Sequence, residues 1–187
     1  MPDEVMQIFR DAGAILEGHF SADLRPSFPS VLGEVPHPAI PARYTEKLCR
    51  LIAEHFKGEK VEVVAGPTTG GIILAHEVAR QLGVRSIFTE KEGTARVFRR
   101  GFTISPGERV LVVDDILTTG SSVLEVVDAV REVGGAVVGI GVMVDCSEKT
   151  RKFGVPFFSC LRAATVTYVP GKCPLCAEGI PLVRLGG

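Results

Sequence analysis

The chain has 187 residues, 45% of them hydrophobic and 23% charged, an ordinary balance for one globular unit large enough to bury a core. Its formal net charge of −1 leaves no electrostatic case for binding nucleic acid or a membrane surface. No apolar run reaches the length of a membrane span, the start Met1-Pro-Asp-Glu4 lacks a basic leader region, and five cysteines, an odd number, do not suggest a disulfide framework. A cytoplasmic protein is the expectation.

Val5, Met6, Ile8, Phe9, Ala12, Ile15 and Leu16 share one helical face, which predicts an N-terminal helix ending near Gly18 and lying beside the main sheet. Residues 21–41 carry five prolines and little periodicity, and read as an extended, loop-rich hood. A second helix is expected from Tyr44 to Phe56, with Leu48, Leu51, Ile52, His55 and Phe56 turned inward. A strand at 61–65, the turn Gly66-Pro-Thr-Thr-Gly-Gly71, a helix at 72–82 and a strand at 84–89 form a βαβ crossover. Residues 90–107 are polar and charged, and Gly93, Gly101 and Gly107 break any helix there. The central strand follows, then a helix over about 121–133 and a buried strand over 136–144. Segments 155–159 and 164–168 read as edge strands. Strands alternating with helices predict an α/β fold with a parallel, doubly wound sheet. The whole chain is expected to form a single domain, with 1–43 supplying the N-terminal helix and hood and 44–187 the core and C-terminal tail.

The chemistry concentrates in Arg109-Val-Leu-Val-Val-Asp-Asp-Ile-Leu-Thr-Thr-Gly-Ser-Ser122. Four apolar residues, Val110 to Val113, are too few for a helix and suit a strand buried on both faces. Asp114 and Asp115 then stand at its carboxyl end, where ligands bind in open α/β sheets. Adjacent carboxylates are poor core residues, because burying unpaired charge is expensive. Thr118 to Ser122 precede an amphipathic run, so they open a helix, and their N–H groups and hydroxyls make a phosphate cradle. Two carboxylates for a diol or a metal ion, and a phosphate nest one turn later, together suit a sugar phosphate. Gly66 to Gly71 sets a second cradle at another strand end.

An apolar strand, two acids, two apolar residues and Thr-Thr-Gly-Ser-Ser resemble the signature of the type I phosphoribosyltransferases. The resemblance implies a parallel doubly wound sheet with a small loop-rich hood, acting on phosphoribosyl pyrophosphate. It implies that Asp114 and Asp115 hold the ribose, that Thr118, Thr119, Gly120, Ser121 and Ser122 hold the 5′-phosphate, and that Gly66, Pro67, Thr68, Thr69 and Gly70 hold the pyrophosphate. Mg²⁺ would arrive with the pyrophosphate rather than in a protein cage. Segment 90–102, with its four cations, occupies the place of the mobile catalytic loop of the orotate branch. Lys91 first, then Arg99 and Arg100, are thereby expected to stabilise the departing pyrophosphate and exclude water. Asp114 or Asp115 is a candidate base, Asp115 joining the cations in the catalytic set, although displacement at an anomeric carbon mainly needs charge stabilisation and alignment.

Similarity to the orotate phosphoribosyltransferases extends to Gly18-His-Phe20, Arg99-Arg-Gly-Phe102, Pro106-Gly-Glu-Arg-Val110 and the tail from Tyr168 to Pro181. It implies transfer to a nucleobase, orotate first, by a homodimer. Two departures stand out. The family's Ser-Gly-x-His-Ser segment after Gly-His-Phe is replaced by Ser21-Ala-Asp-Leu-Arg-Pro-Ser27, and its base-contacting Arg is replaced by Cys146. Phe20 and Cys146 are the base-side positions, with Arg25 or Lys149 as substitutes for the lost guanidinium. A purine transferase, or a non-catalytic sensor of the same sugar pyrophosphate, are the competing readings. Cys173-Pro-Leu-Cys176 has the spacing of half a zinc site. No second C-x₂-C or H-x₃-H stands elsewhere, so it reads as a reduced surface turn and no metal site is assigned. His19 and His37 could face the base, and His55 and His76 read as structural.

Overall fold

The structure, a computed structural model, describes residues 2–12, 15–21, 30–36, 40–147, 152–163, 166–168, 172–181 and 183–184. Its centre is a six-stranded sheet built from β3 (Val63–Pro67), β4 (Arg85–Glu92), β5 (Ala95–Phe98), β6 (Arg109–Leu117), β7 (Ala136–Asp145) and β8 (Phe157–Arg162). The order is β5-β4-β3-β6-β7-β8, and every pairing is parallel except the β4–β5 hairpin. Both faces are covered, which explains why Val63 to Pro67 are all buried rather than alternating.

Helices α1 (Pro2–Asp11), α2 (Ala42–Phe56) and α3 (Gly70–Leu82) pack on one face, through Phe9, Leu48, Ile52, Phe56, Leu74 and Val78. On the other face lies α4 (Ser121–Glu132), which buries Val123, Val126, Val127 and Val130. The predicted α/β, doubly wound architecture is therefore the observed one. His55 is exposed, stacked on Phe158 with ring centroids 4.4 Å apart, rather than turned inward. No helix among the described residues is long and apolar enough to cross a membrane.

A second sheet, of order β10-β1-β2-β9, forms the hood from β1 (Ile15–Ser21), β2 (Ser30–Pro36), β9 (Val166–Tyr168) and β10 (Val183–Arg184). This corrects two expectations. Helix α1 stops at Asp11, and Ile15 and Leu16 lie on a strand, paired with Pro36 and Val35. The proline-rich stretch also holds a strand, β2, bounded by Pro29 and Pro36 and lying between β1 and β9. It pairs with β1 along its whole length and with β9, more than 130 residues on, through Ser30, Val31 and Leu32, and the prolines on either side mask that pattern in the sequence. The C-terminal segment also belongs partly to the hood, since β9 and β10 join it, with the one-turn helix α5 (Pro174–Ala177) between them.

Candidate active site

Strands β3 and β6 are parallel neighbours, with Val63, Val64 and Ala65 opposite Val110, Leu111 and Val112. From β3 the chain crosses through α3 to β4 on one side, and from β6 through α4 to β7 on the other. Their carboxyl ends thus flank a topological switch point, where a crevice opens between diverging loops. Everything the site uses comes from the turns leaving these two strands and from the hairpin beside them.

At the end of β6, Asp114 is buried at 5% exposure and Asp115 is half-buried. The Asp115 N–H donates to Asp114 Oδ1 at 2.9 Å, and the Ile116 N–H donates to Asp115 Oδ1 at 2.7 Å. Burial first, and then the neighbouring Asp115 charge, push the Asp114 carboxyl up to about 8, while Arg96 pulls the other way. Gly120 follows with φ 75, a left-handed residue that caps α4 without a side chain. Thr119 Oγ1 and Ser121 Oγ lie 2.9 Å apart, and Thr118, Thr119 and Ser121 are exposed. The first-turn N–H groups of α4 and three hydroxyls therefore face one small depression, lined by Asp114 and residues 116–123.

The turn after β3 is more compact. The Thr68 N–H donates to the Thr89 carbonyl at 3.0 Å, and the Thr68–Thr69 peptide is cis. A Cβ on Gly66 would sit 2.3 Å from the Gly71 carbonyl oxygen. A Cβ on Gly70 would sit 2.0 Å from Asp115 Oδ2, so the acid of one turn lies directly over the backbone of the other. That contact joins the two cradles into a single site.

Residues 90–107 hold a β-hairpin where only a polar, glycine-broken loop was expected. Glu92 pairs with Ala95 across a two-residue turn, and Gly93, at φ 61, takes its first position. Gly93, read as a helix breaker, is the turn residue itself. The hairpin carries Arg96, whose Nη1 donates to both the Thr68 carbonyl and Thr68 Oγ1 at 3.3 Å. Its Nε stands 3.2 Å from Glu125 Oε2, an ion pair without hydrogen-bond geometry. Lys91 Nζ donates to the same carboxylate at 2.7 and 2.8 Å.

A phosphoribosyl transferase domain is recognised over residues 37–162. The chain is 48% identical over 184 residues to the orotate phosphoribosyltransferase of Caldanaerobacter subterraneus subsp. tengcongensis, spanning 98% of this chain and 96% of that protein. It is 47% identical over 187 residues to the orotate phosphoribosyltransferase of Pelotomaculum thermopropionicum, with the same two coverages. The chain belongs to the phosphoribosyltransferase family. Among solved structures, it resembles the Mycobacterium tuberculosis orotate phosphoribosyltransferase in complex with Fe(III) dicitrate, at a TM-score of 0.67 and 27% identity, covering 86% of this chain and 95% of that one. The adenine phosphoribosyltransferase of Thermoanaerobacter pseudethanolicus shares the fold, at a TM-score of 0.65 and 18% identity over 87% of this chain and 100% of that one.

Of the residues singled out for phosphoribosyl transfer, Asp114, Asp115, Thr118 to Ser122 and Gly66 to Gly70 gather at the switch point. The loop cations are held by local acids: Lys91 by Glu125, Arg99 by Glu92, and Arg100 by Glu90 at 2.6 Å. Arg96 was passed over, yet it is the cation hydrogen-bonded to the β3 turn. Its partner Glu125 lies one helical turn beyond Ser121, on the face that carries the phosphate loop, and that i, i+4 spacing was the available signal. Cys146 is buried just past β7, with its N–H donating to the Leu117 carbonyl at 2.7 Å. Burial, then Asp145, push its thiol up to about 11, so it offers a substrate carboxylate no charge. Phe20 lies on β1, opposite Val31 and Val183, and its side chain, like Arg25, His37 and Lys149, is outside the described residues. His19 is buried against Cys173 and Cys176, and Cys173, at 3% exposure, is not part of a surface turn.

Proposed function

We propose that the protein transfers the phosphoribosyl group of phosphoribosyl pyrophosphate to orotate, giving orotidine 5′-monophosphate and pyrophosphate, a step of pyrimidine synthesis in the cytoplasm. The observation that carries this reading is the Asp115 carboxylate resting over the Gly70 backbone. In phosphoribosyl pyrophosphate the ribose diol and the pyrophosphate hang from adjacent carbons, so a diol-binding acid and a pyrophosphate-binding turn must touch.

Asp114 and Asp115 accept hydrogen bonds from the ribose hydroxyls, Thr118 to Ser122 hold the 5′-phosphate, and Gly66 to Gly70 hold the pyrophosphate through backbone N–H groups. A base nitrogen forms a bond to C1 as the C1–oxygen bond breaks, the bonding pair leaves with the pyrophosphate, and the proton lost from the nitrogen is taken up by that pyrophosphate. Lys91, Arg99 and Arg100 exchange their local acids for that developing charge, and Arg96 anchors the hairpin to the β3 turn. The acid pair offers only oxygen donors and is short of positive charge, which suits a hard divalent ion. Mg²⁺ bound with the substrate supplies neutralisation of the pyrophosphate. The chain acts as one domain and, by the family likeness, as a homodimer. Sedimentation of the purified protein tests the dimer.

The function is tested by mixing purified protein with phosphoribosyl pyrophosphate, Mg²⁺ and each of orotate, uracil, adenine, guanine, hypoxanthine and xanthine, and following pyrophosphate release. Release with orotate alone is expected. Release with another base reassigns the acceptor, and tight binding without release favours a sensor.

A further inference from the structure

His19, Cys173 and Cys176 bring three ligand atoms within 4.8 Å of one another, well away from the acid pair in sequence. His19 Nε2 lies 3.4 Å from Cys173 Sγ and 3.6 Å from Cys176 Sγ. Tetrahedral zinc holds sulfur at about 2.3 Å and imidazole nitrogen at about 2.0–2.1 Å, which sets sulfur and nitrogen about 3.5 Å apart. The observed separations bracket that value.

The tautomer agrees. His19 Nδ1 lies 2.8 Å from the Ile180 carbonyl oxygen, which can only accept, so Nδ1 carries the proton and Nε2 turns a lone pair toward both sulfurs. A ligating histidine held through its other nitrogen by a backbone carbonyl is the usual second-sphere arrangement of a metal site. Thiols are weak donors, so a buried imidazole facing two of them is poorly satisfied without an ion. Two sulfurs and one imidazole disfavour Mg²⁺ and Ca²⁺, which take oxygen. Cys176 is exposed, and so provides a path for the ion.

We propose that His19, Cys173 and Cys176 bind one Zn²⁺ ion per chain, with water in the fourth position. Binding releases two protons as the thiols become zinc thiolates, and His19 stays neutral. The ion ties β1 to a segment more than 150 residues later, beside the place where, among the described residues, β10 meets β1 through Phe20–Val183 and Ser21–Arg184. It is a clasp for the hood.

The full-length protein, purified under reducing conditions, is gel-filtered and its zinc content measured. About one ion per chain is expected. Metal-stripped protein is then titrated with Co²⁺, expecting the visible bands of a tetrahedral site and a near-ultraviolet thiolate charge-transfer band. Cys176→Ser, at an exposed position, should weaken that band while far-ultraviolet circular dichroism stays unchanged; Cys173→Ser and His19→Gln should each alter the spectrum. Chelation of the wild type should speed amide exchange in 172–181 while 110–113 stays protected. Zinc no higher than in the Cys173→Ser/Cys176→Ser double variant, an octahedral Co²⁺ spectrum, or a Cys173–Cys176 disulfide in the freshly purified protein would each overturn the assignment. These readouts involve no phosphoribosyl transfer, so the site and the proposed function can fail separately.

Discussion

In the proposed site the turns leaving β3 and β6 would do similar work by different means. The β6 turn offers a ligand side chains: two carboxylates, and four hydroxyls around a left-handed glycine, at 114–122. The β3 turn has little side chain to offer, and its shape comes from backbone packed on backbone, Gly66 against Gly71 and Gly70 beneath Asp115. A side-chain site tolerates small changes in the chain path and depends on each functional group. A backbone site depends on the absence of a Cβ. The first kind should fail by loss of chemistry, and the second by loss of position.

The largest effect is expected from Asp114→Asn with Asp115→Asn. One hydrogen bond to the Asp115 carboxylate at about 2 kcal/mol and one to the protonated Asp114 carboxyl at about 1 kcal/mol amount to a roughly 150-fold loss of phosphoribosyl pyrophosphate affinity, read by calorimetry on a protein that still melts cooperatively. Gly70→Ala comes next. The added Cβ meets the end of a flexible carboxylate, so Asp115 swings aside; kcat/KM should fall on the order of 100-fold with melting temperature little changed. If Gly70→Ala unfolds the protein instead, the β3 turn is a structural element and the contrast breaks. Ser121→Ala removes one neutral hydroxyl and leaves Thr119 in place, so KM for phosphoribosyl pyrophosphate should rise about fivefold with kcat unchanged.

The smallest effect is on stability. Between the ordinary carboxylate value and about 8, native Asp114 keeps a proton that the unfolded chain has released. The native state then binds more protons, so stability falls as pH rises through that window. Melting of the substrate-free protein should drop by a few degrees per pH unit across that window, and Asp114→Asn should flatten the slope, whereas Thr69→Ala in the other turn should not.

The same contrast sets what the sequence made legible. The β6 turn announced itself because its chemistry lies in consecutive side chains after an unbroken apolar strand. The β3 turn was legible as a glycine-rich helix start, but the reason for Gly70 is Asp115, 45 residues away and adjacent only once β3 and β6 are paired. The hood was the least legible. Ile15 and Leu16 continue the apolar face of α1 by spacing, and only pairing with 35–36 makes them strand. His19 and the two cysteines are separated by more than 150 residues, and the spacing of either alone is half a site. Arg96 was hidden among similar cations until the hairpin gave them different directions.

The hairpin's ion pairs also govern how a ligand arrives. Lys91, Arg96, Arg99 and Arg100 face Glu125, Glu92 and Glu90, so the hairpin is nearly neutral as seen from a distance. An open basic cleft draws any polyanion in from solution, at a rate that falls steeply with ionic strength. A hairpin whose cations are already engaged casts little long-range field, so encounter should depend only weakly on salt. On the proposed function, discrimination among the many phosphates of a cell would then come after contact, from whether an anion can take the place of the glutamates.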